Sequence, residues 1–184
     1  MRVIVGITGA SGAIYGIALL EALKKLGVET HLILSRQAEK IISLETPYTP
    51  EEVRALASHA YSESDFDAPL ASGSFLHQGM VIAPCSMKTL AGIAAGYADN
   101  LIQRAADVTI KEGRKLVLVP RESPFSAIHL ENMLKLARLG VVIAPPVPAF
   151  YHGPETIADL IKFSVGRLLD LLGLDHQLLK RWGE

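Results

Sequence analysis

The chain has 184 residues, 49% of them hydrophobic and only 6% aromatic, with 18 Lys and Arg set against 19 Asp and Glu. A mean hydropathy of +0.29 excludes a disordered chain, and a chain this long buries about 70% of the surface its unfolded form exposes, enough for one full core. The net charge of −1 argues against nucleic acid or an anionic membrane as a partner.

Taken in chain order, Arg2–Ile7 is a β-branched strand that enters a glycine-containing turn, followed by a helix over 12–26. Val3 to Leu20 is uncharged and follows Arg2, as a signal peptide or span would. However, Gly6, Gly9, Gly12 and Gly16, with Thr8 and Ser11, divide it into strand, turn and helix. Strand Glu29–Leu34 and helix 35–44 come next. Between Thr46 and Gly79, Pro47, Pro50, Pro69, Ser72, Gly73 and Ser74 break any long element, so one short helix over 51–60 and a surface excursion are expected. Strands at Met80–Ala83, Lys115–Val119 and Val141–Ala144 then alternate with helices at 86–96, 99–112, 126–138 and 154–172. Strands this continuously apolar belong in a parallel sheet covered on both faces. The pattern predicts one domain over 1–184, a three-layer α/β/α protein with a Rossmann- or flavodoxin-like sheet. The small or aliphatic runs Leu90–Ala98 and Leu168–Leu174 are expected to pack against other copies of the chain.

Cys85 is the only cysteine, which excludes a disulfide framework and fits a reducing compartment, the cytoplasm by default. It reads as a small buried residue more than as a nucleophile. Histidines 31, 59, 77, 129 and 176 lack ligand-type spacing, so no metal site is expected.

Three strand ends carry the chemistry. After the first strand, Thr8-Gly9-Ala10-Ser11-Gly12 offers backbone N–H groups and a helix N-terminus to an anion, with Ser11 as a helix cap or a ligand. The spacing is not G-x-G-x-x-G, and Ser35 stands where a dinucleotide fold needs an acid for the ribose, so a mononucleotide such as FMN suits better. A tight βα turn with an ordinary serine cap reads the same residues. Pro84-Cys85-Ser86-Met87-Lys88-Thr89 is a second cap-competent turn, and Pro120-Arg121-Glu122 places a guanidinium and a carboxylate at the same sheet edge. Arg104 and Lys111 are seven apart on one helix face and suit a phosphate or a surface stripe. Glu45 closes a helix before Pro47. Alone, Tyr151, His152 and Arg167 read as a packed tyrosine, a solvated histidine and a surface arginine.

Together these blocks, with Asn100-Leu101-Ile102, Ile128-His129-Leu130-Glu131-Asn132-Met133, Ala149-Phe150-Tyr151-His152 and Arg181-Trp182-Gly183-Glu184, resemble the flavin prenyltransferases of the UbiX family over nearly the whole chain. The resemblance implies a homo-oligomer, often a dodecamer, that binds FMN between subunits. It implies transfer of dimethylallyl from dimethylallyl monophosphate to N5 and then C6 of reduced FMN, the product serving a UbiD-type decarboxylase. By motif, Gly9, Ala10, Ser11, Ser35, Ser86, Thr89 and Arg121 would hold FMN, with Met87 and Lys88 lining that turn. Arg104, Lys111, Tyr151 and Arg167 would hold the prenyl phosphate, Trp182 would close a site, and Glu45 and Glu122, with Ser11 and Lys111, would serve the chemistry. No D-D-x-x-D is present, so cations would replace the magnesium of diphosphate-using enzymes. A non-catalytic FMN-binding subunit of a decarboxylase is the alternative, and a flavin-dependent cysteine decarboxylase is disfavoured because P-x-M-N-x-x-M-W is missing.

Overall fold

The structure, a computed structural model, describes residues 1–179 and 181–183. Glu184, which closes the last block of the resemblance, lies outside the described residues. Six strands, β1 (Arg2–Ile7), β2 (Glu29–Leu34), β3 (His59–Ser62), β4 (Gly79–Cys85), β5 (Lys115–Pro120) and β6 (Val142–Ile143), form one sheet in the order β3-β2-β1-β4-β5-β6. Every neighbouring pair is parallel. The chain moves outward from β1 to β3 on one side and from β4 to β6 on the other, so the topological switch point lies between β1 and β4. Open α/β sheets bind ligands at that crevice.

Seven helices cover the two faces: α1 (Ala13–Lys25), α2 (Arg36–Glu45), α3 (Pro50–Leu56), α4 (Met87–Ala95), α5 (Leu101–Lys111), α6 (Ala127–Arg138) and α7 (Ile157–Leu172). Because side chains alternate across a strand, Val3, Val5 and Ile7 enter a core built with α1, α2, α3 and α7, while Ile4 enters one built with α4, α5 and α6. All seven residues of β4 are buried, as the apolar runs require. Full burial of each Leu or Ile stabilises by roughly 1.5–3 kcal/mol.

Two expectations are corrected. The helix expected over 51–60 stops at Leu56, and His59–Ser62 pairs with β2 as an edge strand. Its HAYS sequence carries little apolar signal because most of it faces outward. The runs Leu90–Ala98 and Leu168–Leu174 pack largely within their own chain: Leu90, Ile93, Leu168, Leu169 and Leu172 are all buried against the sheet or α1. A sheet with two apolar faces consumes those helices. Exposed aliphatic residues cluster on α6, where Leu136 alone is fully buried while Ile128, Leu130 and Leu134 face outward.

Candidate active site

The turns after β1, β4 and β5 meet at the carboxyl edge of the sheet. Thr8 ties the first two together. Its buried hydroxyl donates to the Pro84 carbonyl at 2.7 Å and accepts the Ser86 amide at 2.8 Å, while its own amide reaches Pro84 at 3.2 Å. Gly9 sits where a Cβ would overlap that of Gln37, so the first turn of α2 can pass against it only because the side chain is absent. Gly12, at φ +100°, occupies the N-cap position of α1.

Ser11 therefore does not cap α1. That role passes to Glu45 in the last turn of α2, whose Oε2 accepts the Gly12 amide at 2.7 Å. Burial, the largest influence on Glu45, pushes its carboxyl pKa up, but hydrogen bonds from Gly12, Ser11 and Ala13 and the nearby Arg121 charge outweigh it and hold it below the ordinary value. The fold thus turns this helix-ending carboxylate inward, and the positive end of the α1 dipole is already balanced by it. Arg121 lies over the same turn, with Cδ 3.2 Å from the point a Gly12 Cβ would take. Beside it the Tyr15 phenol has its pKa raised by burial, with Arg121 opposing.

The remaining hydroxyl donors lie at the ends of β2 and β4. Ser35 is the N-cap of α2, its Oγ accepting the Ala38 amide at 3.0 Å, which leaves the hydroxyl proton to donate. Ser86 caps α4, accepts the Thr89 amide at 3.3 Å and donates its hydroxyl to Thr89 Oγ1 at 3.1 Å, so the Thr89 hydroxyl becomes the end of that relay. Met87 is half-buried and Lys88 exposed on the same helix turn, and Ala10 is half-buried in the first turn. Glu122 is exposed, with Oε1 accepting the Ser123 amide at 3.0 Å.

The cationic set is distributed differently. The Leu101 amide bonds the Glu63 carbonyl just beyond β3, and α5 ends shortly before β5 begins, so α5 descends from the carboxyl edge to the amino edge of the sheet. Lys111, in its last turn, pairs with Glu112 beside Gly73, far from the three turns of its own chain. Arg104 donates to the Ala71 carbonyl at 3.1 Å and to Asp107 at 2.9 Å. Arg167 pairs with Asp170 at 2.7 Å and lines a groove with Tyr15, Val119, Ala144, Val147 and Phe163. Tyr151 packs edge-on against Trp182 at 4.9 Å and Phe163 at 5.8 Å. His152 is not solvated, because its ring stacks on Phe163 at 4.8 Å and Nε2 is buried without a partner among the described residues.

The flavoprotein family model matches residues 1–169. A probable UbiX-like flavin prenyltransferase of Escherichia coli O157:H7 is 57% identical over 99% of this chain and 93% of its own length. The flavin prenyltransferase UbiX of Methanocaldococcus jannaschii is 54% identical over 100% of this chain and 99% of its own. This chain belongs to the UbiX-like flavin prenyltransferases. Among solved structures, the dodecameric FMN-dependent UbiX-like decarboxylase of E. coli O157:H7 superposes with a TM-score of 0.98 at 57% identity, each chain fully covered. AnUbiX in complex with FMN and dimethylallyl pyrophosphate superposes with a TM-score of 0.98 at 55% identity, covering 100% of this chain and 97% of that one. The peptidyl-cysteine decarboxylase EpiD, at 17% identity and a TM-score of 0.67, shares the fold.

For a UbiX-like enzyme, two positioning features escape a reading of the sequence. Thr8 stands inside the quoted motif, yet only the fold shows its hydroxyl joining two turns. Gln37 gives Gly9 its reason, and no local signal connects residues so far apart in the chain. Cys85 is fully buried with its thiol pKa pushed far up by desolvation, so it is no nucleophile.

Proposed function

We propose that this flavin prenyltransferase joins a dimethylallyl group from dimethylallyl monophosphate to reduced FMN, giving prenylated FMN for a UbiD-type decarboxylase. The observation that carries the reading is the convergence of three turns at the switch point, with donors left over after the structure's own hydrogen bonds are made. Glu45 already occupies the α1 terminus, so the FMN phosphate is best received by the Ser35 and Thr89 hydroxyls and Arg121, with Ser86 orienting Thr89 through the proton it donates. Gly9, Ala10 and Ser11 provide close backbone approach, and Met87 and Lys88 line the turn. The missing Cβ at Gly9 lets the first turn of α2 close against this loop, and the positive φ at Gly12 sets the bend that brings Arg121 over it.

Reduced FMN supplies the nucleophilic positions N5 and C6. The chain's residues handle the leaving group and the proton. Breaking the allylic C–O bond releases a phosphate dianion, which Arg104, Lys111, Arg167 and the Tyr151 hydroxyl stabilise as charge develops. Glu122, with that phosphate, accepts the proton lost from C6. Glu45, held ionised, keeps the Ser11 hydroxyl oriented, and Trp182 closes the aromatic wall. Lys111 stands at the opposite sheet edge from Ser86, so these groups meet only if a second copy brings its α5 to the crevice. The outward aliphatic face of α6 supports such an assembly, a dodecamer like that of the E. coli relative.

We further propose that 1–184 acts as a single domain in the cytoplasm. One continuous sheet supports the first, and a lone, buried cysteine fits the reducing compartment of the second; among the described residues no helix is long and apolar enough to cross a membrane. Anaerobic incubation with reduced FMN and dimethylallyl monophosphate is expected to give a flavin heavier by one C5 unit, detected by mass spectrometry. An unchanged flavin with both the monophosphate and the pyrophosphate overturns the reading. Turnover with the pyrophosphate alone overturns the choice of donor.

A further inference from the structure

At the amino edge of the sheet, opposite the flavin turns, the parallel register sets His31 of β2 directly beside His59 of β3. Glu29 lies two residues before His31 on the same strand, so all three side chains project from one face. Glu29 Oε1 is 3.1 Å from His31 Nε2 and 3.7 Å from His59 Nε2, and the donor atoms of the three residues all lie within 4.8 Å of one another. A tetrahedral zinc ion with bonds of about 2.0–2.1 Å holds its ligand atoms about 3.3 Å apart. The cluster therefore needs only a small contraction to close on an ion.

The outer partners are those a metal site uses. Tyr61 Oη lies 3.2 Å from His31 Nδ1, where it can accept the Nδ1–H of an imidazole whose Nε2 binds metal. Arg2 Nε holds the other carboxylate oxygen, Glu29 Oε2, at 3.1 Å, leaving Oε1 for the cluster. His31 is 3% exposed and walled by Phe75, edge-on at 4.8 Å. His59 stacks on His31 with centroids 4.6 Å apart. Coordination asks the His59 ring to tilt out of that stack, and its exposed position leaves room to do so.

We propose that Glu29, His31 and His59 form a three-ligand zinc site with its fourth position open to water, clipping the edge strand β3 onto β2. Two imidazoles and one carboxylate suit zinc and disfavour magnesium or calcium, which prefer oxygen ligands. The site stands apart from the flavin crevice and is not required for prenyl transfer, so the two proposals fail separately. The spacing of His31 and His59 in sequence hides it, because only strand pairing makes them neighbours.

The test uses the intact oligomer, stripped with EDTA and titrated with Zn²⁺ by calorimetry, and with Co²⁺ by the visible bands of four-coordinate cobalt. One ion per chain is expected. His59→Ala and Glu29→Gln should each weaken zinc binding by more than about tenfold, whereas His129→Ala on α6 should leave it unchanged. Saturating zinc should raise the thermal midpoint of the parent chain and not that of His59→Ala. Prenyl transfer should persist in His59→Ala, which reports that the variant is folded. Absence of saturable binding at one ion per chain, or affinity unchanged in both His59→Ala and Glu29→Gln, overturns the proposal.

Discussion

The two halves of the candidate site are built in opposite ways. The flavin half hangs on strand ends that are hydrogen-bonded to one another: Thr8 joins β1 to β4, Gly12 is capped by Glu45, and Arg121 lies over Gly12. The phosphate half has no such scaffold within one chain. Arg104 and Lys111 are neutralised locally by Asp107 and Glu112, and Arg167 by Asp170, each at a separate place. On the proposed reading, preorganisation inside the chain serves the flavin, whereas the cations, held here in intramolecular pairs, are to be brought together by a second copy and a phosphate.

The sharpest way to break that comparison is to remove a cation. Lys111→Ala is expected to lower prenyl transfer by about 10²-fold or more while leaving FMN affinity intact, because on the proposed reading the lysine serves the prenyl phosphate and the charge that builds on it as the C–O bond breaks; turnover and flavin fluorescence titration separate the two. Mixing Lys111→Ala with Arg121→Ala subunits should restore part of the activity, since some mixed crevices would receive both native residues. No recovery in refolded mixtures would place the whole site in one chain.

On the flavin side, Gly9→Ala forces its methyl into Gln37 and should cost about 1–3 kcal/mol of stability together with FMN binding. Chemical denaturation measures the loss, and adding Gln37→Gly should recover much of it. Thr8→Val keeps the shape but leaves the Ser86 amide without its acceptor and the Pro84 carbonyl with only the Thr8 backbone amide, a loss of about 1–3 kcal/mol by the same measurement. The smallest effect concerns pH. The Glu45 pKa is lowered in the folded chain, so its contribution is complete above the ordinary carboxylate value and is lost as pH falls through the lowered one. Stability profiles of the parent and Glu45→Gln should therefore run parallel at neutral pH and converge in acid.

The strands β1 and β2 were legible to the residue because each carries an aliphatic run, Val3–Val5 and Leu32–Leu34, that the sheet buries on both faces. Most of the helices were legible from their periodicity, and several from Ser or Asn starts, seen at Ser35, Ser86, Asn100 and Ser126, whereas α1 starts on Gly12 and α3 ends at Leu56, short of the expected bound. What escaped depends on relations between distant residues. His59–Ser62 forms a strand because β2 offers an edge, not because HAYS is apolar. Ser11 looked like a cap, but the left-handed Gly12 takes that position and a carboxylate from another helix completes it. The cations were chosen by motif, and their separation within one chain could not be seen along a helix face.

β1 and β4 are the two innermost strands, almost wholly buried, and both flavin turns grow directly from them. Backbone amides in such strands exchange with solvent only through the largest openings of a fold, whereas edges and termini open often. The floor of the crevice thus belongs to the last part of the molecule to come apart. Partial openings that release the edge strand β3 can occur while that floor stays closed, so fraying at the outer edge of the sheet need not disturb what the crevice holds.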